Sequence, residues 1–143
     1  MREVERSALV GHPPERMYEL VRDVDSYPLF LSWCSGARVI SDDGSEQLAS
    51  IEVRLAGIHL RFSTRNRLSP PNRIQLSLEE GPFKTLAGHW DFKAVGDSGC
   101  RVGLTLRFEV ASRLLAVAFE RSFAKVADRL VDDFCKRADK VYG

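Results

Sequence analysis

Between residues 50 and 110, apolar and polar side chains alternate with a period of two. From 112 to 142 the apolar ones recur every three or four residues. A period of two turns one side of a strand to the core and the other to water, and a period near 3.6 does the same for a helix. The alternation predicts strands over 50–56 (Ile51, Val53, Leu55), 58–68 (Ile58, Leu60, Phe62), 73–80 (Ile74, Leu76, Leu78), 86–94 (Leu86, Gly88, Trp90, Phe92) and 100–110 (Cys100, Val102, Leu104, Leu106, Phe108). Gly57, Pro70-Pro71-Asn72, Gly81-Pro82 and the stretch from Gly96 to Gly99 supply the bends between them. A brief segment at 37–40, ending at Asp42-Asp43-Gly44, adds a sixth strand. Residues 3–10 read as a first strand, with Val4, Ala8 and Val10 on one face and Arg6 on the same side. Pro13 and Pro14 open a short helix over 15–21, with Met17, Leu20 and Val21 inward. The apolar run Tyr27, Leu29, Phe30, Leu31 and Trp33 around Pro28 predicts a second short helix starting near Tyr27-Pro28, plugged against an apolar surface.

The last segment, 112–142, holds no Gly or Pro. Leu115, Phe119, Phe123, Val126, Ala127, Leu130, Phe134, Ala138 and Val141 form one stripe, opposite a charged face. Asp132 with Lys136 and Asp133 with Arg137 are helix-favouring pairs four apart, Ser112 is a candidate N-cap and Gly143 a candidate stop. Such a rod is about 40 Å long, as wide as a small domain. The order is strand, two short helices, about six antiparallel strands, long helix. This is an α+β architecture of about seven strands, and the helix buries its stripe on the concave face of the curled sheet.

Length and composition change this picture little. A chain of 143 residues, 44% hydrophobic and 29% charged, fits one domain over residues 1–143 with a real core. Lys plus Arg is 21 and Asp plus Glu 20, so the net charge of +1 gives no global attraction to nucleic acid or membrane. Three scattered cysteines make no disulfide framework and fit a reducing cytosol. The charged start Met1 to Arg6 has no signal-peptide core, and no apolar run of 18 residues exists to span a membrane. A cytoplasmic monomer is expected.

Three motifs carry a resemblance. Asp23-x-x-x-Tyr27-Pro28-x-Phe30-Leu31-x-x-Cys34, Gly81-Pro82-Phe83-Lys84-x-Leu86-x-Gly88-x-Trp90-x-Phe92, and Cys100-x-Val102-x-Leu104-x-Leu106-x-Phe108-Glu109 run in sequence, followed by Phe134-x-x-Arg137-Ala138. Together they resemble the START-like family of coenzyme Q-binding proteins, whose bacterial branch is called ribosome association toxin RatA, with oligoketide cyclase as an older name. The resemblance spans nearly the whole chain. It implies the helix-grip fold, with the long helix closing a hydrophobic tunnel. It implies non-catalytic binding of an isoprenoid quinone such as ubiquinone, in support of respiratory electron transport, with no cofactor required. For the RatA branch it implies association with the large ribosomal subunit that blocks assembly of full 70S ribosomes. A polyketide cyclase-like enzyme is the third alternative.

The residues expected around a ligand are Phe30, Leu31, Trp33, Leu60, Phe62, Leu76, Trp90, Phe92, Leu104, Leu106, Phe108, Phe119, Phe123 and Leu130. Each alone reads as core; with the resemblance they imply a cavity. Gly88, between Leu86 and Trp90, fits either ligand space or a sheet bend under a packed helix. Arg6, Tyr18, Tyr27 and Asn66 are the polar groups that could face inward, too few to argue for a cyclase. His12, His59, His89 and the cysteines lack zinc-ligand spacing, so no metal is expected. The outward faces carry Arg54, Arg61, Arg65, Arg67 and Arg73, with Arg101 and Arg107. They fit either a phosphate-binding surface for ribosomal RNA or anionic lipid, or a solvated face partnered by Glu52, Glu79 and Glu109. No aromatics interleave with them to stack bases.

Overall fold

The computed structural model describes residues 1–111 and 117–143 in full, and the backbone alone of 113–116. Strand β1 (Arg2–Val10) leads to helix α1 (Pro14–Arg22) and a 3-10 helix (Val24–Leu29). Six strands follow: β2 (Cys34–Asp42), β3 (Glu46–Leu55), β4 (Ile58–Ser69), β5 (Arg73–Glu80), β6 (Phe83–Val95) and β7 (Gly99–Val110). Helix α2 (Arg113–Tyr142) closes the chain. The strands form one antiparallel sheet in the order β1-β7-β6-β5-β4-β3-β2. Six strands are a meander of tight turns, while α1 and the 3-10 helix carry the chain from β1 at one edge to β2 at the other. Ser112 as N-cap and Leu115 as a stripe residue lie outside the described residues and side chains.

Helix α2 rests on the inner side of the sheet, against β1, β7, β3 and α1. Its stripe divides the core between two clusters. At one end Phe134 is fully buried among Tyr27, Phe30 and Trp90, with ring centroids 5.3, 5.2 and 5.1 Å away in edge-on geometry. At the other, Phe123 packs against Phe108 at 4.8 Å, Phe83 at 5.4 Å and Phe119 at 5.7 Å. Edge-on and offset aromatic pairs add about 0.5–1.5 kcal/mol each beyond the area they bury. Trp33, Ile51 and Leu76 touch both clusters.

Three sequence expectations change. The second short helix begins at Val24 and ends at Leu29, rather than starting near Tyr27-Pro28. Ser26 explains the early start: its N–H donates to the Asp23 carbonyl and its hydroxyl to the Asp23 carboxylate. Within this apolar run Leu29 stands out in water at 72% exposure, while Tyr27 and Leu31 are buried. Strand β2 spans nine residues and β3 starts at Glu46, both longer than their alternation suggests. Register irregularities between Cys34 and Gly36 and between Val39 and Ser41 break the period of two there. Arg6 sits on the inner side of edge strand β1, but it reaches Asp128 of α2 at 2.9 Å, so its charge is paired at the rim and does not enter the core.

Candidate functional site: an inner cavity and an outer groove

Between the two aromatic clusters lies a cavity of about 90 Å³. The sheet supplies Ala49 and Ile51 from β3, Phe62, Thr64 and Asn66 from β4, and Leu76, Leu86, Trp90 and Leu106 from β5 to β7. Helix α2 supplies Phe123, Leu130 and Phe134, and the connection after α1 supplies Val24, Tyr27 and Trp33. Lining residues on one strand are two or four apart, because only alternate positions face α2. Ligand pockets usually measure roughly 300–1,000 Å³. A whole prenylated lipid therefore requires these walls to part, whereas the polar end of one needs far less room.

Seven of the fourteen residues expected at a ligand line this cavity: Trp33, Phe62, Leu76, Trp90, Leu106, Phe123 and Leu130. The other seven do not. Leu31, Phe92, Leu104, Phe108 and Phe119 are fully buried in solid packing at either end. Leu60 is half-buried beside the Phe123 cluster, and Phe30 lies against Phe134 with the Arg137 guanidinium 5.1 Å over its ring. A period of two says which face a residue takes, but not how far along the helix it falls. The lining residues missing from the expected set include Ile51 and Leu86, both on apolar files, and Thr64, which continues the file of Phe62 and carries a hydroxyl into it.

Gly88 resolves against ligand space. A side-chain carbon built there would lie 2.1 Å from the Thr105 carbonyl oxygen and 3.0 Å from the Leu106 Cα. Its missing side chain lets the backbone of β7 approach, and it lines the outer face of the sheet instead.

The cavity's polar groups are few and fixed. Tyr27 donates its hydroxyl to the Val21 carbonyl at 2.5 Å, and burial pushes its phenol well above the usual tyrosine range. Asn66, 3% exposed, donates from Nδ2 to Gln47 Oε1 at 2.9 Å. Gln47, 1% exposed, donates from Nε2 to the Arg22 carbonyl at 2.8 Å and to Asp42 Oδ2 at 3.2 Å. Arg22 grips the same Asp42 carboxylate, at 2.9 Å from Nε and 2.7 Å from Nη2. That ion pair holds the Asp42 carboxyl below its usual range. Among the described residues, two cavity residues keep polar atoms with no partner, Asn66 Oδ1 and Trp33 Nε1. Of the expected inward polar set, Asn66 is the member that both lines the cavity and keeps an atom without a partner among the described residues. Tyr18 packs edge-on to Phe92 outside it. Among the described lining residues none changes charge near neutral pH.

On the opposite face of the same strands runs a groove of about 420 Å³. Arg65, Arg67, Arg73, Arg107 and His89 rim it, Glu46 is its acidic residue, and Ser77, Ala87 and Gly88 form its floor. The register explains the shape: Arg65 pairs with Ser77, Ser77 with Ala87, and Ala87 with Arg107, so two arginines flank two small residues. Arg65 is held by Glu46 and Glu79, and Arg73 lies 3.7 Å from Asp91. Among the described residues Arg67 and Arg107 make no ion pair. Two members of the expected basic cluster stand apart. Arg61 pairs with Glu52 and borders a separate hollow, and Arg54 is exposed away from the groove. His59 and His89 are engaged by Ser35 and Asp91. No helix among the described residues is long and apolar enough to cross a membrane.

A curved antiparallel sheet gripping one long helix, with an apolar hollow between them, defines the START-like helix-grip class. The chain belongs to the family described as polyketide cyclase / dehydrase and lipid transport, whose model matches residues 10–135. It is 43% identical over 143 residues to a protein of Vibrio cholerae named ribosome association toxin RatA, covering 100% of this chain and 99% of that one. It is 28% identical over 146 residues to the mitochondrial coenzyme Q-binding protein COQ10 homolog B of Xenopus laevis, covering 99% of this chain and 59% of that one. Among solved structures, the Zhui aromatase/cyclase of Streptomyces sp. R1128 superposes with a TM-score of 0.87 at 16% identity, covering 99% of this chain and 96% of that one. That likeness is one of fold.

Proposed function

We propose that this chain associates with the ribosome through its outer groove, as the RatA relatives are named for doing. The observation that carries the reading is the groove's arginine rim: Arg65 and Arg107 face each other across a floor of small residues, and Arg67 and Arg107 make no ion pair among the described residues. Net charge is only +1, so attraction to a phosphate backbone has to come from a local concentration of guanidinium groups. The 43% identity over the whole chain supports this reading above quinone binding, whose named relative stands at 28%. The target within the ribosome is the large subunit, and its occupation keeps full ribosomes from assembling. Sucrose-gradient sedimentation tests this. Raised expression of the wild type shifts full ribosomes toward free subunits, with the protein sedimenting beside the large one. Arg67→Glu with Arg107→Glu leaves the profile unchanged. A wild-type profile identical to that of cells without the protein ends the reading.

A second reading concerns the cavity. Its apolar lining, in a family described in terms of lipid transport, supports non-catalytic binding of a hydrophobic molecule, an isoprenoid quinone such as ubiquinone among the candidates. Burying an isoprenoid tail contributes about 0.8 kcal/mol per CH₂-sized unit. A cyclase needs an acid or a base against its substrate, and among the described lining residues none changes charge near neutral pH. Organic extraction of protein purified from its native host tests the ligand. An extract without prenylated quinone or other lipid, beside a known binder that yields one, removes this reading.

A further inference from the structure

Asn66 lines the cavity and keeps one amide atom without a partner among the described residues, and the surrounding protein dictates that this atom is an acceptor. The two ends of a side-chain amide look alike in shape and differ in chemistry: oxygen accepts, nitrogen donates. Here the choice is forced by a relay that starts outside the cavity. The Arg22 main-chain carbonyl can only accept, and so can the Asp42 carboxylate that Arg22 grips. Both face the same end of Gln47, so that end is Nε2. Gln47 Oε1 therefore turns to Asn66, its register partner on β4. An oxygen there demands a donor, so Asn66 meets it with Nδ2. What remains of the Asn66 amide is Oδ1, with no partner among the described residues. Reversing both amides would set two oxygens against each other at Arg22 and a third at Asp42.

The second unpartnered atom, Trp33 Nε1, is a donor. Trp90, Phe62, Phe123 and Phe134 line the same cavity with aromatic rings. We infer that Asn66 Oδ1 and Trp33 Nε1 form a polar seat for a hydroxylated aromatic head group, a phenol or hydroquinone at the end of a hydrophobic chain. This rests on the cavity reading above and narrows it. A quinone carries only acceptors, so it satisfies Trp33 and leaves the Asn66 oxygen buried opposite another oxygen. A hydroquinone satisfies both. A site built to hydrogen-bond a hydroxyl discriminates strongly against the analogue without it, because its own buried group stays unpaired.

The test uses one carbon skeleton in two states. A geranyl-substituted benzoquinone and its hydroquinone are titrated anaerobically into the full chain by calorimetry. The wild type binds the hydroquinone roughly tenfold more tightly than the quinone. Asn66→Leu, checked for folding by its thermal melt, abolishes that preference. Trp33→Phe weakens both forms by a similar factor and leaves the ratio intact, since both offer an oxygen to Nε1. If Asn66→Leu does not fold, the wild-type ratio decides alone. Equal binding of the two forms, or a preference that survives in Asn66→Leu, overturns the seat while the hydrophobic-ligand reading stands. Absence of binding by either form overturns both.

Discussion

Strand β4 carries two different treatments of polarity on its two sides. Inward it presents Phe62, Thr64, Asn66 and Leu68, and outward Arg61, Arg65 and Arg67. The inner polar groups are scarce and buried, and they are oriented by a chain of bonds that leaves one oxygen over. The outer ones are numerous, long and washed by solvent, and most have acidic partners. Polarity inside a core costs free energy unless it is satisfied, so it persists only under tight geometric control. Polarity on a sheet face is nearly free, and individual ion pairs there contribute about 0–1 kcal/mol. The inner side therefore sets stability, and the outer side is free to vary with what it touches.

The largest test of this contrast is Phe134→Ala. Truncating a fully buried ring that meets Tyr27, Phe30 and Trp90 is expected to cost about 3–5 kcal/mol in urea denaturation. Next comes Gly88→Ala. Its added carbon meets the Thr105 carbonyl at 2.1 Å, so β6 and β7 must separate. A loss of about 1–3 kcal/mol is expected, read as a lower melting temperature.

A third test follows pH. Asp42 titrates below its ordinary value in the folded chain, chiefly because of its hydrogen bonds from Arg22. Its contribution is then fully present above the unfolded carboxylate range, about pH 4, and is lost as pH falls through the lower folded value. Asp42→Asn should flatten that part of an acid-denaturation curve and reduce stability at neutral pH. An unchanged curve would remove the ion pair from the account.

The smallest change expected is in Arg67→Glu with Arg107→Glu. Stability should stay within about 0.5 kcal/mol of wild type, as for exposed positions outside any network. Ribosome sedimentation by the wild type should weaken steeply with added salt. A destabilisation as large as that of Phe134→Ala would dissolve the distinction between the two faces.

Much of this was legible in the sequence. Clean alternation located β4 to β7, and the Phe119, Phe123, Phe134 stripe located α2, because one wet and one dry face leave a periodic record. The irregular pairings of β2 left no such record, so β2 and the start of β3 were read short. Half the cavity lining was found, because facing inward is a local property, while lying opposite a gap depends on how α2 sits. Asn66 was visible as a polar residue in an apolar file. Its orientation was not, since that depends on β3 pairing with β4 and on a carbonyl at the end of α1. Gly88 showed the limit of volume arguments: an absent side chain was filled by a neighbouring backbone.

The alternation along β4 also ties the fates of the two surfaces together. Asn66 and Arg67 are consecutive, so deleting any one residue between Phe62 and Asn66 reverses which side every later residue faces. Guanidinium groups would point at Phe123 and the amide at solvent. In this strand the count of residues is under stricter control than their identity, and shortening by a single codon should be far more damaging than most substitutions.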